Sequence, residues 1–204
     1  MGQYYSPCAL NKSKTNVEGY IYSHDIKSRF KRQDGKVFMM GEGLKLMEHS
    51  YINNKLMRCV EGLLVPGGAW NNKPIVWAGD YAENEKDTDQ NFNSMCRSVI
   101  EGEHISNKII PKPLSIANSK KHRFIINHTT KEFVDKECVQ KDNDGYKIHP
   151  LSLLTAEGNG SGGGDFFGKD PKHLVGSWAR HIISMEKVCP KIEGYKELIF
   201  NINE

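Results

Sequence analysis

The chain has 204 residues, 38% of them hydrophobic, with 28 Lys and Arg against 25 Asp and Glu and a net charge of +3. That length allows one large domain or two small ones, with a modest core and long polar loops. The charge balance argues against a nucleic-acid partner, no apolar run approaches the ~18 residues of a membrane span, and the start MGQYYSPCAL lacks the basic and apolar regions of a secretory signal.

In chain order, QYYSPCAL, the polar turn NKSKTN and GYIYSHDI read as a β-hairpin. Gly2 and Ser6 match the myristoylation pattern M-G-x-x-x-[ST], but Tyr4 and Tyr5 read as a strand start. Lys27 to Lys36 (KSRFKRQDGK) is the densest basic stretch; it reads as a solvated loop able to touch phosphates. Leu44 to His49 and Asn54 to Leu64 read as helices. In the second, Leu56, Cys59, Val60, Leu63 and Leu64 recur at helical spacing, and Pro66, Gly67 and Gly68 stop it. PIVWAGDY, residues 74 to 81, reads as a strand.

A polar stretch follows, with a short helix near Phe92 to Val99 and an extended linker at Pro111 and Pro113. RFIIN, HTTK and EFVDKECV give a second hairpin. Pro150 suits a first helical position, so Leu151 to Glu157 reads as a short helix ended by Gly158. The glycine loop AEGNGSGGGDFF runs from Ala156 to Phe167, RHIISMEK (180 to 187) is a strand, and YKELIFNI is a closing strand.

Both halves therefore present a hairpin, a G-x-K-[LI] segment, a Leu-Leu pair, a glycine pair or run, and an apolar strand. The expected fold is α+β: a mostly antiparallel sheet with short helices, built from two related ββαβ-like halves packed about a pseudo-twofold axis. Residues 1–83 form the first repeat, 84–121 the polar connecting segment, and 122–204 the second repeat with the C-terminal strand, all sharing one core.

The blocks MGQYY, GLKLMEHSY (43 to 51), WAGDYAE (77 to 83), INHTTKEFVD (126 to 135) and LLTAEGNGSGGGDF (153 to 166) together resemble a family of uncharacterised proteins of tailed phages and large DNA viruses. Shorter relatives resembling one repeat occur in bacteria and some eukaryotes. The resemblance covers nearly the whole chain. It implies a viral accessory protein and no particular reaction; residues 27 to 40 stand within it as an insertion.

The glycine loop is the first candidate site. Asp165 follows its glycines where a phosphate loop would place lysine, and the loop follows a helix rather than a strand, unlike a dinucleotide fingerprint. Gly162, Gly163 and Gly164 would let backbone N–H groups approach a ligand closely. Glu157, Asn159 and Asp165 offer oxygens for sugar hydroxyls, an amine or a hard cation. The structural alternative has Asp165 capping a turn. Asp80 and Tyr81, at the end of an apolar strand, are the second candidate. His49 and His149 occupy equivalent positions, and with Glu48 nearby a His–carboxylate pair suits acid–base work or a hydrogen-bonded helix end.

His128, His173 and His181 have no metal spacing, and Trp70, Trp178, Phe166 and Phe167 read as core. Ser161 lacks a nucleophile elbow. Cys8, Cys59, Cys96, Cys138 and Cys189 form no C-x-x-C pair, which reads as reduced thiols in the cytoplasm. The leading expectation is a non-enzymatic viral accessory protein of the host cytoplasm, with no resident metal or cofactor, though a divalent cation would suit the loop. It would bind a small polar ligand or a host protein near the paired glycine loops. A metal-dependent hydrolase using Glu157, Asp165, Asp80 and His149 is the second expectation, and a virion or assembly component the third.

Overall fold

A computed structural model describes residues 3–31, 34–41, 50–97, 108–142, 145–158 and 173–202. Polar side chains close both hairpins. Between β1 (Tyr5–Leu10) and β2 (Val17–Tyr20), the Asn11 carboxamide accepts from the amides of Thr15 at 2.9 Å and Asn16 at 3.2 Å. Between β6 (Phe124–Asn127) and β7 (Glu132–Asp135), Asn127 does the same for Thr129 at 2.9 Å and Thr130 at 3.3 Å. Each asparagine supplies the acceptor that a tight turn would otherwise lack.

The basic stretch expected as a loop is in part a strand: β3 (Lys27–Lys31) pairs antiparallel with β4 (Val37–Gly41) as a separate two-stranded sheet. Helix α1 (Lys55–Leu64) follows, capped by the Asn54 side chain on the Met57 amide at 2.7 Å. Its apolar stripe is buried as the spacing predicts. Gly68 ends it at a position where any Cβ would overlap the Leu63 carbonyl, so the first glycine pair is a helix stop. Strand β5 (Lys73–Gly79) is buried from Pro74 onward.

The polar connecting segment holds α2 (Phe92–Arg97) and α3 (Ile116–Lys121), the latter not expected. Ser115 caps α3 by accepting from the Asn118 amide at 3.2 Å. Helix α4 (Pro150–Leu154) is shorter than expected, and Ala156–Glu157 is strand β8 rather than helix. Thr155 makes the break: its hydroxyl returns to the Leu151 carbonyl at 2.8 Å, and its own carbonyl accepts from Trp77 at 2.8 Å. Strand β9 (His181–Glu186) and a two-residue β10 (Lys196–Glu197) complete the chain. The helix at Leu44 to His49 lies outside the described residues.

The main sheet runs β10-β7-β6-β9-β5-β1-β2, with β8 beside the end of β5. Only β10–β7 and β5–β8 are parallel among its named pairs. The fold is thus α+β with a mostly antiparallel sheet. Inside the edge strand β10, the order is hairpin, single strand, single strand, hairpin. Counted outward from the Lys73–Ile183 pair, Cys8–Val76 stands in register where Phe124–Glu186 stands on the other side, and Cys8–Tyr20 where Phe124–Asp135 stands. In that register Pro74 stands where Ser184 stands on the other side. The helices break the symmetry, since α1 has 10 residues and α4 has 5. Common descent of the halves is a proposal that this strand plan supports.

Alternation along the strands loads both faces of the sheet. One face carries the large core, in which Ala9, Ile75, Ile125 and Ile183 meet α1, α4, Trp70 and Trp178 from both halves. On the other, Cys8, Leu10, Val76 and Ala78 lie under Phe92 and Cys96 of α2, while Phe124, Ile126 and Phe133 lie under Cys189 and Tyr195. Trp70 and Trp178 are core, as expected; Phe166 and Phe167 lie outside the described residues. No helix among the described residues is long and apolar enough to cross a membrane.

Candidate functional site

The expected site residues divide among separate tasks. Asn159, Gly162, Gly163, Gly164, Asp165 and His49 lie outside the described residues. Glu157, on β8, meets the guanidinium of Arg180 through two bonds of 2.5 and 2.8 Å. Glu85 takes the other side of that guanidinium at 2.7 and 3.0 Å. Arg180 also stacks over Phe92 at 4.6 Å. It thus ties the connecting segment to the root of the glycine loop. Gly79 lets this happen, since a Cβ there would come within 2.6 Å of the Glu157 carbonyl. Asp80 is bound to the backbone: its carboxylate accepts from the Tyr4 amide at 2.9 Å. Tyr81 is half-buried in the following turn.

His149 is buried at the N-cap of α4 and belongs to an ionic cluster under α1. Its Nδ1 accepts from the Leu151 amide at 3.2 Å, so the ring proton sits on Nε2 and points to Glu61 Oε1 at 3.2 Å. The same carboxylate oxygen pairs with the Lys136 ammonium. Lys136 also donates to the Ser119 carbonyl at 3.1 Å and hydroxyl at 3.3 Å. Glu61, His149 and Lys136 are all buried, at 0%, 0% and 4% exposure.

Burial alone would raise the Glu61 carboxyl; the His149 hydrogen bond and the Lys136 charge outweigh it and hold the group at about 2. Burial pushes His149 below its ordinary value against the pull of Glu61, keeping the ring neutral at pH 7. Burial likewise lowers Lys136, with Glu61 opposing. Glu61 Oε2 is buried with no hydrogen-bond partner. The sequence carried a sign of this cluster: Met57, Glu61 and Leu64 recur on the inward stripe of α1, which puts a carboxylate among core positions.

Lys136 also forms part of the wall of a cleft of about 430 Å³. Ile52 and Asn53 precede α1 on one side. Ser119 and Lys120 come from α3, Arg123 from the start of β6, Lys136 and Glu137 from the turn after β7, and Lys147 from the approach to α4. Four cations and one carboxylate therefore converge there. Arg123 is held by Asp135 and Glu137, and its hydrogen bond to Asp135 raises the guanidinium still further above its ordinary value. Lys147 donates to the Glu137 carbonyl at 3.2 Å. Lys120 is exposed and Lys147 half-exposed, so their ammoniums can turn to a ligand. Arg123 keeps a fixed orientation, and its uncommitted N–H groups suit an oxyanion.

A second polar constellation is closed. His128 contacts the Ser184 hydroxyl at 2.8 Å and the Tyr195 hydroxyl at 2.9 Å. Ser184 is fully buried in β9, so its hydroxyl is out of reach of a substrate. Comparison with protein-family models, with curated proteins and with solved structures finds no match for this chain.

Proposed function

We propose that the protein is a non-enzymatic binding protein for a small polar anion, held in the cleft between α3, the turn after β7 and the segment before α4. The convergence of Lys120, Arg123, Lys136 and Lys147 around 430 Å³ carries the reading. That volume suits a small ligand. Lys136 is spent on Glu61 and Ser119, so it fixes the floor. Lys120, Lys147 and the outer edge of Arg123 supply the contacts, and the Asn53 amide adds a neutral donor. A phosphate or carboxylate group fits that donor set.

A binding role also accords with the commitments of the groups that chemistry would need. His149 faces a buried carboxylate, Ser184 is enclosed, Glu157 is clamped by Arg180, and Asp80 holds the end of β1. The expectation of a viral accessory protein in the host cytoplasm rests on the sequence blocks and stays with the proposal. The test is titration with inorganic phosphate, pyrophosphate, a nucleoside triphosphate and citrate. Saturable binding should raise the melting temperature, and Lys120→Ala/Lys147→Ala should abolish the rise while leaving the ligand-free melting temperature in place.

A further inference from the structure

Two thiols meet on the face of the sheet opposite the ionic cluster. Cys8 sits in the middle of β1, and Cys96 in the last turn of α2. Their sulfurs are 3.2 Å apart, though 88 positions separate them in the chain. Neither is in a disulfide. Both side chains belong to the same small apolar cluster, packed with Leu10, Val76, Ala78 and Phe92. Cys59 lies in the large core on the other face of the sheet, and Cys138 is exposed in the turn after β7.

We propose that Cys8 and Cys96 are an oxidative modification site, closing to a disulfide that fastens α2 onto β1. A disulfide bond is about 2.05 Å long, so the sulfurs must approach by about 1.2 Å. Helix α2 is the element able to supply that movement, since it rests on the sheet through side chains, whereas β1 is hydrogen-bonded on both sides, to β2 and β5.

The chemistry balances with a small disulfide such as oxidised glutathione. Cys96, exposed at 6% against 0% for Cys8, loses its proton to solvent when α2 loosens. Its thiolate attacks one sulfur of the oxidant, forming a mixed disulfide and releasing one glutathione thiolate. Cys8 then gives up its proton and attacks the Cys96 sulfur. The Cys8–Cys96 bond forms and the second glutathione thiol leaves. Two protein thiols lose two electrons, and the oxidant gains them. Burial, aided by the neighbouring Cys96, pushes the Cys8 thiol well above its usual value. The second step is therefore the slow one, because the thiolate is the nucleophile.

The experiment uses the full chain carrying Cys138→Ser and Cys189→Ser, which removes the two least buried thiols. The protein is incubated overnight with oxidised glutathione, denatured without reductant, alkylated and mapped by mass spectrometry. The expected result is one cross-linked peptide pair joining Cys8 to Cys96, with Cys59 alkylated. Closing so long a loop should raise the melting temperature by roughly 5 to 15 °C, and reductant should reverse the rise. Alkylation of both Cys8 and Cys96 after the incubation overturns the proposal. So does a linkage that leaves the melting temperature unchanged or lowers it, since the sulfurs would then have met only in the opened chain.

Discussion

Removing one partner of the Glu61–Lys136 pair should cost far more than removing both. Lys136→Met keeps the length of the side chain and deletes the ammonium. Glu61 is then a fully buried carboxylate with a single hydrogen bond, from neutral His149. Breaking a buried pair in this way costs about 3–5 kcal/mol, because the surviving charge stays out of water. Glu61→Met should cost a similar amount by stranding the ammonium on Ser119 alone. Glu61→Met/Lys136→Met places two apolar chains among Met57, Val60 and Leu64 and should regain most of the loss, since an apolar replacement of a buried pair is commonly neutral. A double-mutant cycle by urea denaturation should therefore give a coupling of at least ~3 kcal/mol. For a chain of this length each single variant should melt about 6–20 °C lower. Single losses below ~1 kcal/mol that simply add would show that the pair is solvated and that the cleft floor is not built on it.

The same cluster predicts a pH dependence. Glu61 is held at about 2 against an ordinary 4.5, so its stabilisation is complete above pH 4.5 and is lost as pH falls towards 2. The size is about 3 kcal/mol. His149 is also lowered from 6.5; stability therefore declines first below about pH 6.5, where only the unfolded chain takes up that proton. Denaturation curves from pH 8 to pH 3 should show both windows, and Glu61→Gln should shrink the lower one, to which the lowered Asp135 carboxyl also contributes; a flat curve would contradict the placement. Arg180→Ala leaves Glu85 and Glu157 facing each other without a cation. With Arg180 about one-third exposed, the loss should be about 1–2 kcal/mol, and hydrogen exchange at Ala156 and Glu157 should quicken. Unchanged exchange there would mean that the clamp does not hold β8.

Much of this architecture is visible in local chemistry. Asn11 and Asn127 mark hairpin turns because each supplies its own acceptor, and α1 declares itself by spacing and by the Asn54 cap. Helix α3 is not visible by periodicity, since SIANSKK has no apolar stripe; only the Ser115 cap marks it. Strand β8 was hidden because its partner β5 lies far away in sequence, and nothing in TAEG itself favours a strand. Strands β3 and β4 were obscured by the charge of KSRFK. The candidate cleft was out of reach for the same reason as β8. Lys120, Arg123, Lys136 and Lys147 follow no common period, and only the pairing of β6 with β7 and the packing of α3 on α1 bring them to one wall. Glu157 and Asp80 stand out in sequence as candidate ligands, but their partners Arg180 and the Tyr4 amide are 23 and 76 positions away.

Calorimetric titration of the full chain with pyrophosphate, beside Lys120→Ala/Lys147→Ala, tests the proposed anion site most directly. The wild type should show one saturable site, weakened as salt rises because charge carries the contact. The double variant should bind at least tenfold more weakly while unfolding at the wild-type denaturant concentration. Saturable binding of equal strength in both proteins, or no binding of pyrophosphate, phosphate, nucleoside triphosphate or citrate by the wild type, would contradict it.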